Sequence, residues 1–359
     1  MPYVSTDNKD PIWGHRPWII SGPCSAETEE QVLSTARSLA ASGQIQLFRA
    51  GIWKPRTKPG GFEGVGRVGL EWLKKAKAET GLPFTVEVAT SKQVEEALEF
   101  GTDVLWIGAR TTVNPFSVQE IADALQGVDI PVLIKNPINP DLELWTGALE
   151  RMRGAGIRRI GLIHRGFSTY GNTEYRNAPL WHLAIEMKLR YPQIPMINDP
   201  SHICGRRDLL LDVMQRSVDL DFDGLIIESH PDPDQAWSDA KQQVTPERLI
   251  EMLGQIRWRK DDVNSEVFHA ALDSLRQQIN QLDNEMVQLL GRRMQVAEQI
   301  GRYKKENNIT ILQAGRWQEI VEKACQQGAQ VGLSREFITR YLEAVHMESI
   351  NRQKRMLDS

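Results

Sequence analysis

The stretch VLIKNPINPDLELWTGALERMRGAGIRRIGLIHRG, Val132–Gly166, decides the architecture. Two short runs, Val132–Pro137 and Arg159–Gly166, are almost continuously apolar, as strands buried on both faces must be. Between them Leu142–Arg153 repeats its apolar residues with the period of a helix. The same unit recurs in both directions along the chain. Strand-like runs fall at Trp18–Ser25, Ile45–Trp53, Phe84–Ala89, Val104–Arg110, Met196–Ser201 and Leu225–His230. Helix-period stretches lie between and after them, at Glu29–Ala41, Leu70–Thr80, Lys92–Phe100, Val118–Leu125, Leu180–Arg190, Arg207–Arg216 and Pro246–Arg257. Eight strands alternating with eight helices predict an α/β fold, a (β/α)8 barrel over residues 1–258. A doubly wound open sheet is the rival. It is disfavoured because eight repeats close naturally and no glycine fingerprint follows the first strand.

The chain has 359 residues, 41% hydrophobic and 25% charged, with 43 basic against 47 acidic side chains and a net charge of −4. That balance argues against a nucleic-acid or membrane-surface binder. No apolar run reaches the roughly 18–20 residues of a membrane span, and the N-terminal residues lack the apolar core of a signal peptide. Three widely spaced cysteines, Cys24, Cys204 and Cys325, predict no disulfide framework and a reducing, cytoplasmic setting.

In a barrel of this kind chemistry gathers at the C-terminal ends of the strands. Read in order, those ends carry Cys24, then Arg49 with Lys54 and Arg56, then Glu87, Arg110, Lys135, Arg165, His202 and Glu228, with Asp239 in the last loop. One cation in a loop is ordinarily a solvated charge. Six around one mouth of an acidic protein repel one another unless an anion answers them, and phosphates with a carboxylate would do so. Cys24, His202, Glu228 and Asp239 are each commonplace alone. Together they make a mixed donor set suited to a catalytic divalent ion such as manganese, iron, zinc or cobalt.

Several motifs resemble the 3-deoxy-D-arabino-heptulosonate 7-phosphate (DAHP) synthase family over about residues 16–258: GPCSAE at Gly22–Glu27, FRAGIWKPRT at Phe48–Thr57, IGAR ending at Arg110, DPSH at Asp199–His202, and IIESHPDPDQAWSDAKQQ at Ile226–Gln243. The resemblance implies metal-dependent condensation of phosphoenolpyruvate with erythrose 4-phosphate. By motif, Cys24, His202, Glu228 and Asp239 match the metal ligands, and Arg49, Lys54, Arg110, Lys135 and Arg165 match phosphoenolpyruvate contacts. Lys54, Pro55, Arg56 and Thr57 match the segment receiving the aldose phosphate, with Lys54 a candidate proton donor. The related 3-deoxy-D-manno-octulosonate 8-phosphate synthases typically read KANR where this chain reads KPRT, so the proline favours the four-carbon aldose. Two departures, His164 where the family usually has glutamate and Asn136-Pro137 after Lys135, bear on fine specificity rather than reaction class.

After a polar linker, Arg259–Ser265, the texture changes over residues 266–359. Leu275, Ile279, Leu282, Met286, Leu289, Leu290, Ala297 and Ile300 step by threes and fours, which predicts one helix of about 40 residues. Two shorter helices follow, about Gly315–Gln326 and Ser334–Met356. A helix roughly 60 Å long, at about 1.5 Å per residue, is too long for so small a domain to cover, and implies a dimer. Arg293 and Lys304 lie along the stripe and Arg276 begins the same helix beside Leu275, and cations repeated in this way point to a bound anion. The segment resembles the all-α chorismate mutase family across about Phe268–Met356, on LRQQINQLDNEMVQLLGRR, IGRYK, Arg316 and ESINRQ. The resemblance implies rearrangement of chorismate to prephenate in an intertwined homodimer. Arg276 (from the partner chain) and Arg293 would bind the carboxylates, Lys304 and Gln353 the ether oxygen, and Arg316 and Ser349 would complete the shell. Gln313 and Trp317 stand where that family commonly carries aspartate and glutamate, which affects the contact to the substrate hydroxyl. A purely regulatory, dimerising appendage is the competing expectation. With only about 17 residues before the first strand, feedback inhibition by prephenate or chorismate through the helical part is expected, by favouring a docked arrangement.

Overall fold

A computed structural model describes residues 16–54, 60–171, 174–259, 265–311 and 314–358. The chain divides into two compact units, Met1–Asp261 and Asp262–Ser359. The first is a closed barrel of eight parallel strands in sequence order, so an open sheet is excluded. The strands are β1 Trp18–Gly22, β2 Leu47–Arg49, β3 Phe84–Val88, β4 Val104–Ile107, β5 Val132–Lys135, β6 Ile160–His164, β7 Met196–Asn198 and β8 Gly224–Glu228. Closure runs through β1 and β8, where Gly22 pairs with Glu228.

The helices of this unit are α1 Glu29–Ala41, α2 Val68–Thr80, α3 Ser91–Glu99, α4 Ala109–Thr112, α5 Pro115–Ala124, α6 Leu142–Gly154 and α7 Trp181–Arg190. They continue with α8 Pro200–Cys204, α9 Leu210–Asp219 and α10 Pro246–Gln255. Local chemistry starts many of them. The side chains of Thr28, Thr90, Asn114, Asp141, Asp199 and Thr245 accept hydrogen bonds from backbone amides of the first turn, each cap being worth about 1 kcal/mol. Pro115, Pro200 and Pro246 follow three of these caps, where a missing N–H costs nothing.

Strand alternation divides the core in two. Ile19, Phe48, Leu105, Ile134, Leu162 and Leu225 join the helices in the outer layer. Trp18, Ile20, Leu47, Val104, Trp106, Leu133, Ile163, Ile197 and Ile226 form a separate cluster that fills the barrel interior.

The second unit has three helices, α11 Glu266–Glu306, α12 Ala314–Gln330 and α13 Arg335–Asp358. The expected long helix is present at 41 residues, capped by Ser265 accepting from the amide of Phe268. It starts ten residues before Arg276, so Arg276 does not begin the helix as its place beside Leu275 had suggested. Among the described residues no helix is long and apolar enough to cross a membrane.

Candidate active sites

The alternation that fills the barrel also builds its mouth. Two residues beyond the inward-facing Leu47, Leu133, Ile163, Ile197 and Ile226 stand Arg49, Lys135, Arg165, Asp199 and Glu228, all buried. Each charged group therefore continues an inward row at the C-terminal end of its strand. Gly22 permits the close packing of β1 on β2, since a Cβ there would collide with the carbonyl oxygen of Arg49, and its φ of +147° suits glycine.

Cys24, Glu228 and Asp239 each offer a ligand atom within 4.8 Å of the others. Sγ of Cys24 lies 3.4 Å from Oδ2 of Asp239, and Nζ of Lys54 donates to that sulfur at 3.0 Å. Nε2 of His202 stands 3.7 Å from Oε1 of Glu228, on the opposite side of the ring from Asp199, which accepts from Nδ1 at 3.0 Å. Oε2 of Glu228 accepts from Gln242 at 2.7 Å. Its Oε1 is buried and makes no hydrogen bond among the described residues, although Nη1 of Arg49 is 3.2 Å away as an ion pair. The cluster of three brings together Cys24, Glu228 and Asp239, and His202 approaches it through Glu228. An orphaned carboxylate oxygen beside an imidazole nitrogen, in a group that also holds a thiol and a second carboxylate, fits a divalent cation.

The electrostatics agree. Burial pushes the Cys24 thiol up to about 12, with Glu228 adding to the effect, so the sulfur holds its proton until a cation displaces it. Burial opposes ionisation of Asp239, yet His202, Arg176 and Lys54 hold it well below the usual carboxylate range. Glu228 is likewise kept ionised against burial by His202 and Arg49. Burial, with the charge of Lys135 adding to it, drives His202 toward its neutral form against the pull of Asp199 and Glu228, and the neutral form is the one that ligates a metal.

The cations ring this cluster. Lys54, Glu87, Arg110, Arg165, Arg176, His202 and Asp239 line one small cavity. Arg49 and Lys135 lie deeper, at 4.9 and 5.9 Å from the ring centre of Trp106, whose indole N–H is taken by Glu87 at 3.1 Å. Arg165 is buried and fixed by its neighbours: its backbone N–H donates to Oδ1 of Asn136 at 2.7 Å and its Nη1 to Asn177 at 2.8 Å. Burial lowers its guanidinium to about 10, which still leaves it charged at neutral pH. Pro55, Arg56 and Thr57 lie outside the described residues.

Three residues of the mouth were not singled out in the sequence. Asp199 bridges His202 and Lys135, and the alternation from Ile197 would have found it. Arg176 donates to Asp239 at 2.9 Å and to Gln242 at 2.7 Å from a loop with no periodic signal. Gln242 completes Glu228. The structure places the side chains of both departures. His164 faces outward, against the rings of Trp181 and Phe222 at 5.1 and 5.9 Å, and Asn136 ties Arg165 to the backbone of Gly166.

In the helical unit α11 packs on α13, with Gly301 against Gln353. Nη1 of Arg293 donates to Oγ of Ser349 at 2.5 Å, and Nζ of Lys304 to the carbonyl of Ile311 at 2.5 Å. Arg293 and Ser349 are thus brought together, with Gln353 one turn further along α13 beside Gly301. Arg276 and Arg316 are exposed and paired locally with Asp273 and Glu319. Trp317 stacks on His346, with ring centres 4.4 Å apart. Gln313 lies outside the described residues.

A closed (β/α)8 barrel whose mouth sets a cation ring around a thiol, imidazole and carboxylate cluster belongs to the barrel enzymes that act on phosphorylated anions. The family model described as DAHP synthetase I matches residues 7–265, and that described as chorismate mutase type II matches 275–354. The chain belongs to the DAHP synthetase I family and carries a chorismate mutase module after it, with both enzyme activities, which serve aromatic biosynthesis. It is 30% identical to a phospho-2-dehydro-3-deoxyheptonate aldolase of Thermotoga maritima over 69% of this chain and 71% of that protein. It is 27% identical to a 2-dehydro-3-deoxyphosphooctonate aldolase of Nitratidesulfovibrio vulgaris, covering 67% of this chain and 91% of the other. A crystal structure of the Thermotoga maritima DAHP synthase superposes with a TM-score of 0.60 at 31% identity, over 66% of this chain and 67% of that one.

Proposed function

We propose that the barrel mouth condenses phosphoenolpyruvate with erythrose 4-phosphate, using Cys24, His202, Glu228 and Asp239 to hold a divalent ion. The orphaned Oε1 of Glu228, 3.7 Å from Nε2 of His202 in a carboxylate that clusters with Cys24 and Asp239, is the observation that carries this reading. Manganese, iron, zinc or cobalt in that set would polarise the aldehyde oxygen as a Lewis acid. Arg49, Arg110, Lys135 and Arg165 offset the charge of phosphoenolpyruvate and fix its orientation, which removes part of the entropic barrier. Arg49 and Lys135 are themselves pinned by Glu228 and Asp199, so their geometry precedes substrate. Lys54, beside Cys24, is in place to give a proton to the oxygen that was the aldehyde once carbon 3 of phosphoenolpyruvate has attacked. Pro55, Arg56 and Thr57 receive the aldose phosphate.

In the helical unit Arg293 holds a carboxylate of chorismate. Lys304 and Gln353 stabilise charge on the ether oxygen as its bond breaks, Ser349 and Arg316 complete the shell, and Arg276 enters from a second copy. Exposed Leu275, Ile279, Leu282, Met286 and Leu289 support that homodimer. Prephenate or chorismate bound there inhibits the synthase. Free Cys24, Cys204 and Cys325 favour a reducing, cytoplasmic setting.

A phosphate-release assay with phosphoenolpyruvate and metal, comparing erythrose 4-phosphate with arabinose 5-phosphate, tests the synthase reading. Turnover of the five-carbon aldose alone would replace it.

A further inference from the structure

Chorismate presents two carboxylates, an ether oxygen and one ring hydroxyl. The cations of the helical unit answer the anions and the ether, and none is suited to single out a neutral hydroxyl. Among the described residues of this unit, two buried side-chain polar atoms lack a hydrogen-bond partner: Nε2 of His346 and Oε1 of Gln353. Both belong to α13, and with Ser349 they follow the spacing i, i+3, i+7 that places side chains on one helix face. Ser349 on that face already meets Arg293, and Gln353 packs on Gly301 of α11, so the face is the one turned to the site. His346 is close enough to Arg293 and Lys304 to feel both charges. Burial, reinforced by those cations, holds its imidazole in the neutral form, able to donate or accept but not to bind a carboxylate as an ion.

The second observation is the stack. Trp317 of α12 lies over the imidazole with ring centres 4.4 Å apart and planes 22° from parallel. A half-buried histidine in so close a stack has its ring plane fixed, and with it the direction of Nε2. A buried polar atom left unpaired costs about 1–3 kcal/mol unless a ligand or water completes it. Trp317, which by sequence removes a carboxylate contact, thereby positions a different polar group.

We propose that His346 is a substrate contact of the mutase site, its Nε2 hydrogen-bonding the ring hydroxyl, and that Trp317 is the positioning residue that aims it. This rests on the mutase reading of the helical unit and extends it to the determinant of hydroxyl recognition.

The test uses the full chain and a non-reacting bicyclic ether dicarboxylate prepared with and without the hydroxyl, binding being measured by calorimetry. The wild type should prefer the hydroxylated ligand by about tenfold, the scale of one neutral hydrogen bond. His346→Phe keeps the stack but has no polar atom, so it should bind both ligands equally, with the hydroxyl-free one held as in the wild type. His346→Gln, whose amide nitrogen approximates Nε2, should recover most of the preference. Chorismate kcat/KM should fall in His346→Phe by the same factor as the lost preference. An unchanged preference in His346→Phe, or an equal loss for both ligands, overturns the contact. A wild type that converts chorismate but ignores the hydroxyl also overturns it alone. A wild type that neither binds nor converts chorismate overturns the mutase reading and this contact with it.

Discussion

Oδ1 of Asp199 accepts from Nδ1 of His202 at 3.0 Å, while Oδ2 of the same carboxylate takes Nζ of Lys135 at 2.8 Å. Burial works against the charge on Asp199, but His202 and Lys135 outweigh it and hold the group well below the ordinary carboxylate range. An ionised carboxylate only accepts, so it keeps the imidazole proton on Nδ1 and leaves the Nε2 lone pair turned toward Glu228. One buried anion thus orients a metal-ligand candidate and a candidate substrate-binding cation at once.

Replacing Asp199 by asparagine preserves its shape and removes the charge. Metal affinity should fall by about 10- to 100-fold, the usual cost of losing such an outer partner, with an unchanged circular dichroism spectrum. Competition against a chelating dye measures this without requiring turnover. Equal affinity in Asp199→Asn and wild type would mean that His202 is oriented by something else.

His164 is a second buried imidazole with a different role. Burial lowers it to about 4, against an ordinary value near 6.5, and the carbonyl of Pro179, accepting from Nε2 at 2.6 Å, opposes that shift without reversing it. Between those two values the unfolded chain binds the proton and the folded chain does not, so stability rises with pH across that window. The contribution is complete above about pH 6.5 and is lost as pH falls toward 4. Its full size is about 3 kcal/mol. In His164→Gln the barrel's urea transition should lose this increment of pH dependence, measured as the difference from wild type at each pH. Parallel pH profiles for the two proteins would show that His164 does not titrate in this way.

These two histidine environments also show how far the sequence could be read. Strand runs were legible because parallel strands buried on both faces lack polar interruptions, and the strand-end cations because they break that rule abruptly. In the sequence Asp199 reads only as the first residue of the DPSH motif, although Ile197 two residues earlier fixes its inward direction. His164 drew attention through its motif position, whereas alternation from the inward Arg165 turns it outward, into the layer of Trp181 and Phe222. Arg176 sits in a loop between β6 and α7, where no periodicity predicts which residue will meet Asp239. The pairing of Trp317 with His346 joins side chains on the consecutive helices α12 and α13, and only packing reveals it.

Arg276 and Arg293 both lie on α11, roughly 25 Å apart along it at about 1.5 Å per residue. No single dicarboxylate of chorismate's size spans that distance. If both arginines serve one substrate, Arg276 must come from a second chain whose α11 runs alongside. The apolar side chains between them are open to such a partner, with Ile279 57% exposed and Leu282 58% exposed. Burying several of them would supply most of the association energy at about 25 cal/mol per Å2 of apolar area. A glutamate at Leu282 would place a desolvated, unpaired charge in that interface. Leu282→Glu should therefore sediment as a monomer where the wild type sediments as a dimer, and lose chorismate turnover by about 100-fold or more while retaining synthase activity. Arg276→Ala mixed with Arg293→Ala should regain mutase activity, because hybrid dimers rebuild one intact site from two damaged chains. Failure of that complementation, in mixtures shown to exchange subunits, would confine the site to one chain and leave Arg276 without a place in it.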